Sequence, residues 1–271
     1  MGILIKSIIF VLKENFSNIY RIFSIAKYEL IADMRDSKLG VFWNFASPAV
    51  QILTYWLVIG IGLGRGDQQG INYVPWIVVG YSAWWLISPC MTQGCSAIFS
   101  KAYIIEKMKF PVSILPATVC VRELFNHLCM LLIAIVVILT FGFYPNIYWL
   151  GTFYYMLCAF VFLENLTLIT SVLTMMWRDI KKFVTSIMRM LLYLSPVIWT
   201  ASFKNLPALS FAMKLNPIYY IVQGYRDCLL FKTSILAHPA LTAYFWGINL
   251  VLFCIGCLLM YHFKNKMIDM L

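Results

Sequence analysis

The sequence predicts an all-α integral membrane protein with six transmembrane helices, and its composition and its long apolar stretches support this fold class. Of the 271 residues, 62% are hydrophobic and only 12% are charged, and the mean hydropathy is +0.82. A soluble core of this size could not hide so much apolar surface. A helix needs about 20 mainly apolar residues to cross a bilayer, where its own backbone satisfies every N–H and C=O group. We expect a single transmembrane domain over residues 1–271.

The N-terminal segment, residues 1–38, is predicted to form an amphipathic helix at the membrane interface. Apolar side chains recur at three- and four-residue steps, while polar ones fall elsewhere on the helical wheel. The recurring residues are Phe16, Ile19, Tyr20, Phe23, Ala26, Leu30 and Met34. Charged residues interrupt the short apolar runs of this segment, and no small-residue cleavage site follows them. A cleaved signal peptide is therefore not expected.

Six apolar stretches follow, and each is long enough for a transmembrane helix. They cover residues 41–63, 74–98, 124–143, 150–176, 183–200 and 240–263. An even number of spans places both termini on one side of the membrane. The segments on that side would hold fourteen lysines and arginines, against five on the other side. Because cytoplasmic loops are enriched in lysine and arginine, we expect both termini in the cytoplasm.

Two connections are predicted to be helical. Residues 201–239 are too apolar for a solvated loop, and their prolines and Gly224 divide them into short external or re-entrant helices. One such helix would immerse an apolar face in the outer leaflet, and that face consists of Ile218, Ile221, Val222, Tyr225 and Leu229. Residues 98–111 alternate charged and bulky apolar side chains, which is typical of a cytoplasmic helix that docks in a groove of another protein. The alternative for this second connection is a polar loop on the lipid headgroups.

Charged residues within apolar spans are costly, so they are expected to face a protein interior or a water-filled path. Glu164 lies well inside the fourth span, and it could pair with Arg189 or with Arg122. A structural ion pair and a role in conduction remain equally open. Aromatic residues make up 17% of the chain, and most are expected in the interfacial belt. A minority could guide a sugar chain. The candidates for the translocation path are Trp84, Trp85, Arg122, Glu164, Arg189 and Tyr225.

Several kinds of functional site are not found in the sequence. The glycine-rich run at residues 60–66 fits neither a dinucleotide fingerprint nor a phosphate loop. The eight cysteines show neither a disulfide framework nor the spacing of a metal site. No carboxylate cluster and no Ser/His/Asp arrangement points to catalysis. We therefore expect no catalytic, cofactor-binding or metal-binding residues, and any dependence on ATP would come from a partner. The net charge of +10 suits anionic lipid headgroups or an anionic cargo equally.

Several short motifs together resemble the permeases of ABC-2 type transporters. Ser37, Leu39, Gly40 and Trp43 form the pattern S-x-L-G-x-x-W at the start of the first span, and Ser47-Pro48 follows. The similarity continues in the same order through residues 101–111, 177–180, 193–197 and 215–217. Within this family the chain is most similar to exporters of O-antigen and other polysaccharides and of wall teichoic acid.

The resemblance implies a homodimer in the bacterial cytoplasmic membrane, with two ATPase subunits that hold ATP and Mg²⁺. The cargo would be a polyprenyl-diphosphate-linked glycan or polyol-phosphate polymer, and no nucleic acid is implied. The N-terminal helix and the helix near residue 105 would contact the ATPases, and the residues concerned are Glu29, Arg35, Lys101, Tyr103, Ile104, Glu106, Lys107 and Lys109. An exporter of small drugs or lipids would share every motif. A multi-pass glycosyl- or acyltransferase is disfavoured by the scarcity of acidic and histidine clusters. The external segment shows no added carbohydrate-binding domain, which leaves the polymer open.

Overall fold

The computed structural model describes residues 2–35, 38–40, 42–64, 66–107, 110–200 and 207–264. Five helices within these ranges are long and apolar enough to cross a membrane. They are α3 (Phe42–Tyr55, continued as a π-helix over Trp56–Gly62), α4 (Tyr73–Gly94), α6 (Ile114–Thr140), α7 (Gly151–Met176, preceded by a 3-10 turn at Ile147–Leu150) and α11 (Pro239–Phe263). The predicted class of all-α integral membrane protein is confirmed.

The remaining helices are shorter or more polar. They are α1 (Gly2–Ser17), α2 (Ile19–Arg35), α5 (Ala102–Lys107, preceded by a 3-10 turn at Phe99–Lys101), α8 (Asp179–Leu194), α9 (Pro207–Lys214) and α10 (Pro217–Leu229), and a 3-10 turn at Ile235–Ala237 precedes α11. The predicted fifth span, residues 183–200, corresponds mainly to α8. This helix is strongly amphipathic, with lysines near its start, and it is not among the five spans of the described residues. The count of six spans therefore stays a prediction.

The predicted boundaries agree with some helices and differ for others. The starts of α7 and α11 lie within one residue of the predicted starts. By contrast, α6 begins at Ile114, ten residues earlier than predicted, because the predicted span starts only after the charged pair Arg122 and Glu123. In the structure both charges are paired, so the helix continues through them.

The N-terminal segment forms two helices instead of one. The break lies at Asn18, whose side-chain Nδ2 donates to the carbonyl of Glu14 at 2.7 Å. A side chain that bonds the nearby backbone in this way competes with the regular helical pattern. Before the break, α1 packs along α11, where the rings of Phe10 and Tyr261 lie 5.7 Å apart. The helix α2 packs against α6. We call the end of the bundle that holds this segment the terminal end.

The centre of the fold is α4, which packs against α6, α7, α8 and α10. Its start is capped by Asn72, whose Oδ1 accepts from the N–H of Val74 at 3.0 Å. Two glycines allow neighbours to approach α4 closely, because a Cβ at Gly80 would collide with Arg226 and one at Gly94 would collide with Thr167. Close packing of this kind is typical of helices within membranes.

The connection before the last span contains the predicted short helices, but its surroundings differ from the prediction. The apolar face of α10 is buried, with exposures of 0–5% for its five predicted residues. It packs against α4 and α7, so this face is covered by protein and not by lipid, and the position of α10 in the outer leaflet stays a prediction. Hydropathy cannot separate the two cases, because a lipid tail and a packed protein interior are equally apolar. Residues 201–206 of this connection lie outside the described ranges.

Candidate functional site

The predicted docking segment forms a short helix with one buried and one exposed side. Ile105 is buried, whereas Tyr103, Ile104, Glu106 and Lys107 are exposed. The ammonium group of Lys107 lies 4.0 Å from the centre of the Tyr103 ring. The exposed side of α5 therefore combines an aromatic ring, an aliphatic chain and charges, as a docking surface requires.

Two further residues were predicted to contact the ATPases. Arg35 is exposed in the last turn of α2. Lys109 lies outside the described residues.

Glu29 connects α2 to the docking segment. Its carboxylate pairs with the ammonium group of Lys101 through Oε1, and with Nη1 of Arg122 through Oε2 at 3.2 Å. Glu29 points inward because it lies three residues after Ala26, which is fully buried against α6, and residues at this spacing share one face of a helix. The side chain of Glu29 is only 17% exposed, so solvent screens these ion pairs less than it screens pairs at the surface.

Arg122 connects the ion pairs of Glu29 to the transmembrane helix α6. Its guanidinium donates to Oε1 of Glu123 from Nε at 3.0 Å and from Nη2 at 2.9 Å. It also donates to the side-chain oxygen of Gln93, near the end of α4, and Asp33 of α2 lies at 4.0 Å. A guanidinium that is 12% exposed needs such partners, because an unpaired buried charge is costly.

We call Glu29, Asp33, Gln93, Lys101, Arg122 and Glu123 the coupling cluster, because these residues connect α2, α4, α6 and the docking segment. Glu29 and Lys101 are among the predicted ATPase-contacting residues, and Arg122 was predicted for the translocation path. Asp33, Gln93 and Glu123 were not predicted as site residues. The adjacent charges at residues 122–123, inside a long apolar run, were the signal that could have identified Glu123.

A polar cavity of about 570 Å³ lies beside the coupling cluster. We call it the polar vestibule. The residues that line it come from α2, from the end of α4 and the turn that follows it, and from the starts of α6 and α8; they are Glu29, Ala32, Asp33, Thr92, Gln93, Ser96, Ala97, Ser100, Lys101, Thr118, Val119, Arg122, Lys181 and Thr185. The cluster thus forms one wall of a space that is large enough for a small ligand.

The predicted pairing of Glu164 with Arg189 or Arg122 is not found among the described residues. Arg189 is exposed on α8, and Arg122 faces α2 and Glu123. Glu164 instead lines a separate, apolar cavity of about 730 Å³ between the N-terminal helices and the spans α6, α7 and α11. Its Oε2 is buried and has no hydrogen-bond partner among the described residues. The three charges therefore lie in three different environments.

The aromatic path candidates also occupy different environments. Trp84 is 4% exposed and Tyr225 is fully buried. The hydroxyl of Tyr225 lies 3.0 Å from Nε2 of His127, whose Nδ1 lies 3.1 Å from the carbonyl oxygen of Ser82. Trp85 is half-buried and packs against Tyr81. Trp84 and Tyr225 are therefore packed inside one chain, and Trp85 is the member of this set that reaches the surface.

One further polar group, Arg226, was counted as an external loop residue by the sequence analysis. It is fully buried, and its guanidinium donates to the carbonyl oxygens of Pro196 and Val197, both at 2.6 Å. It also donates to the carbonyl of Trp76 at 3.3 Å and lies 3.4 Å from the centre of a Trp76 ring. Arg226 thus joins α10 and the start of α4 to the segment after α8.

Comparison with known proteins gives consistent matches over most of the chain. A family model described as ABC-2 type transporter matches residues 20–230. The chain is 27% identical over 205 residues to the O-antigen export system permease protein RfbA of Myxococcus xanthus, covering 75% of this chain and 77% of that relative. It is 25% identical over 228 residues to the protein of the same name from Klebsiella pneumoniae, covering 83% and 86% of the two chains.

Proposed function

Because the chain belongs to the ABC-2 type transporter family, we propose that it exports a lipid-linked cell-envelope polysaccharide in complex with a separate ATP-binding subunit. The relatives named O-antigen export permeases support the cargo class, since they align over three quarters or more of this chain. As a transporter subunit the chain is not an enzyme by itself. O-antigen is the favoured polymer, and wall teichoic acid, a polyol-phosphate polymer, is the alternative cargo.

The coupling cluster is the observation that carries the proposal. An ATP-driven permease must transmit a motion from a cytoplasmic partner to its membrane helices. The exposed side of α5 offers a surface for that partner, and Lys101 lies directly before α5. The ion pairs of Lys101 and Arg122 with Glu29 then connect this surface to α2 and α6. A displacement of α5 would therefore move helices of the bundle instead of a loose loop.

The proposed assembly contains two copies of this chain and two ATP-binding subunits. The span α3 supports the presence of a second copy, because only 6% of its most apolar 18-residue stretch is buried inside the chain. The neighbouring helix α8 exposes Phe183, Met190 and Tyr193 together with Lys182 and Arg189. A helix that exposes apolar and charged side chains suits a position where lipid, protein and a polar path meet. The polyprenyl-diphosphate-linked cargo would cross between the two copies.

The proposed topology places the terminal end in the cytoplasm of a bacterial cell. The charge distribution of the sequence supports this orientation, and the packing of α1 against α11 keeps the first and last described helices together. Binding of ATP would draw the two ATP-binding subunits together, and the docking segments would transmit this motion to the spans. The cargo moves because the two states expose it to opposite sides of the membrane.

The docking role is tested by Ile104→Asp, measured in the complex reconstituted in vesicles with its ATP-binding subunit. A charge on the exposed apolar side of α5 would disrupt a hydrophobic contact, so we expect export of a lipid-linked glycan to fall by about tenfold or more while the ATP-binding subunit still hydrolyses ATP. Tyr144→Asp is the control, because Tyr144 is also an exposed apolar residue but lies beyond the far end of α6, away from α5. Full export by Ile104→Asp, or ATP-independent export by the chain alone, would contradict the proposal.

A further inference from the structure

The apolar cavity around Glu164 separates the helices α1 and α2 from the spans α6, α7 and α11. Its walls are aliphatic and aromatic, and the rings belong to Phe16, Phe23, Phe160, Trp246 and Phe253. Phe16 and Leu250 are largely exposed, so the cavity opens on a surface that faces lipid. Its volume of about 730 Å³ lies within the range of roughly 300–1,000 Å³ for sites that hold one small molecule with a largely apolar body.

The polar donors in this lining are directed into the protein. The amide of Asn165 donates to the main-chain carbonyl and to Oδ1 of Asn249, at 3.2 and 3.3 Å. The amide of Asn249 donates to the carbonyl of Phe245 at 2.9 Å. The indole N–H of Trp246 donates to the hydroxyl of Tyr154 at 3.0 Å. These groups connect α7 and α11, and their hydrogen bonds are made without a ligand.

Two acceptor atoms in the lining are buried without a hydrogen-bond partner among the described residues. They are Oε2 of Glu164 and Oδ1 of Asn15. The amide of Asn15 already donates to the carbonyl of Val11 at 3.0 Å. The thiol of Cys120 is a neighbouring donor to the carboxyl group of Glu164, but a thiol is a weak donor. A buried acceptor without a donor is costly, so the cavity requires a donor that the described part of the chain does not supply.

The charge of the lining restricts the nature of that donor. Glu164 is the only charged residue among the described residues that line this cavity, whereas the polar vestibule also contains Lys101 and Lys181. An anion would therefore meet a carboxyl group and no compensating cation. Glu164 lies about 18 Å or more from either end of α7, at a rise of 1.5 Å per residue. The charged headgroup of a phospholipid stays at the bilayer surface and does not reach this depth.

We propose that this cavity binds a hydrophobic amine, a molecule with an apolar body and a protonated amino group that donates to Oε2 of Glu164. A charge-assisted hydrogen bond of this kind compensates the buried carboxylate, and the aromatic rings of the lining also favour a cation. The hydrocarbon chain of a lipid would fill the space but leave the carboxylate oxygen without a donor. This binding site goes beyond the proposed function, because its ligand is not the polysaccharide. An occupant sets the spacing between the N-terminal helices and the spans.

The test compares the binding of radiolabelled phenylbutylamine and of its neutral counterpart, phenylbutanol. The purified protein is embedded in nanodiscs of phosphatidylcholine, and binding to empty nanodiscs is subtracted. We expect the protein to bind the amine more tightly than the alcohol by about tenfold or more. Glu164→Gln keeps the size of the side chain but removes its charge. It should weaken binding of the amine by about tenfold or more and change binding of the alcohol by less than about twofold.

Glu14→Gln is the matched control for the loss of a carboxylate. Glu14 lies beside Asn15, but its Oε2 accepts from the N–H of Ser113 at 3.3 Å and it lines a different cavity. This variant should bind the amine as the unmodified protein does. The melting temperature of Glu164→Gln should not fall, because the substitution removes an uncompensated charge from an apolar site. A residue with a merely structural role would instead show a loss of stability.

Two outcomes would overturn the inference. One is equal binding of the amine and the alcohol by the unmodified protein, and the other is unchanged binding of the amine by Glu164→Gln. In either case the cavity holds only hydrocarbon chains of the bilayer. If Glu164→Gln does not fold, Val161→Phe provides a second variant, because its ring would fill the cavity from α7; it should abolish binding of both probes, and retained binding would contradict the site. None of these measurements requires the ATP-binding subunit or the polysaccharide, so failure of this inference leaves the proposed function intact.

Discussion

Arg122 and Arg226 lie near opposite ends of α4, and they bind different kinds of acceptor. Arg122 lies near Gln93, at the end of α4, and its partners include the carboxylates of Glu29 and Glu123. Arg226 lies against Trp76, at the start of α4, and its hydrogen bonds go to main-chain carbonyls. Side-chain carboxylates on separate helices can move and exchange partners, whereas main-chain carbonyls are held in place by the folded backbone. The carboxylate partners of Arg122 suit transmission of motion. The carbonyl partners of Arg226 suit a rigid support, and we use that name for α10 and the backbone around Arg226.

The largest effect is expected for Arg226→Met, which tests the rigid support. The substitution leaves three carbonyl oxygens without their donor and removes the contact with the Trp76 ring. Hydrogen bonds from a charged group contribute about 1.5–3 kcal/mol each, so we expect a loss of about 4 kcal/mol or failure to fold. The measurement is thermal unfolding of the purified protein in detergent. Arg189→Met serves as the control because Arg189 is exposed, and equal melting temperatures for the two variants would contradict the assignment.

The next effect is expected for Glu29→Gln, which tests transmission at the terminal end. Glutamine keeps the size of the side chain but removes the charge that holds Lys101 and Arg122. We expect export to fall by about tenfold while stability falls by only about 1 kcal/mol, because Arg122 keeps Glu123 as a partner. Export and unfolding are measured on the same preparation. Asp67→Asn is the control, since Asp67 is an exposed carboxylate that belongs neither to the coupling cluster nor to the docking surface, and a parallel loss of stability and export in Glu29→Gln would assign the cluster a purely structural role.

A smaller effect is expected for Tyr225→Phe, which belongs to the rigid support. It removes the hydrogen bond between the tyrosine hydroxyl and Nε2 of His127 but keeps the buried ring. The loss of stability should be about 1 kcal/mol, with export unchanged. Unfolding and export assays together check this result. An export defect without a loss of stability would instead favour a role for Tyr225 in guiding the sugar chain.

The smallest effect is expected for Lys182→Ala. Lys182 pairs with Asp179 at 3.4 Å, but both side chains are highly exposed. Such surface pairs contribute about 0–1 kcal/mol, so both stability and export should stay within experimental error. A clear export defect would show that α8 contributes a charge to the path or to a partner surface, and it would extend the coupling region beyond the six residues of the cluster.

The fold class and several of the helices could be predicted from the sequence because they depend on local patterns, whereas the docking role of α5 stays a prediction. Long apolar runs identified α7 and α11 almost to the residue, and alternating charges identified the segment around α5. Contacts between side chains of different helices were less predictable, because they depend on which helices pack against each other. Arg122 could be recognised as costly in a membrane, but the sequence did not indicate that Glu29, 93 residues earlier, would compensate it. For the same reason the face of α10 was assigned to lipid instead of to α4 and α7.

The contact between α1 and α11 has a consequence for how the protein is made. The ring of Phe10 packs against Tyr261, and the ammonium group of Lys264 lies 4.3 Å from the centre of the Phe10 ring. The surface that receives α1 is therefore absent until the ribosome has delivered α11, almost the whole chain later. Contacts between residues so distant in sequence form late. During biosynthesis α1 therefore stays at the membrane surface, with its apolar side chains among the lipids, until α11 has been made.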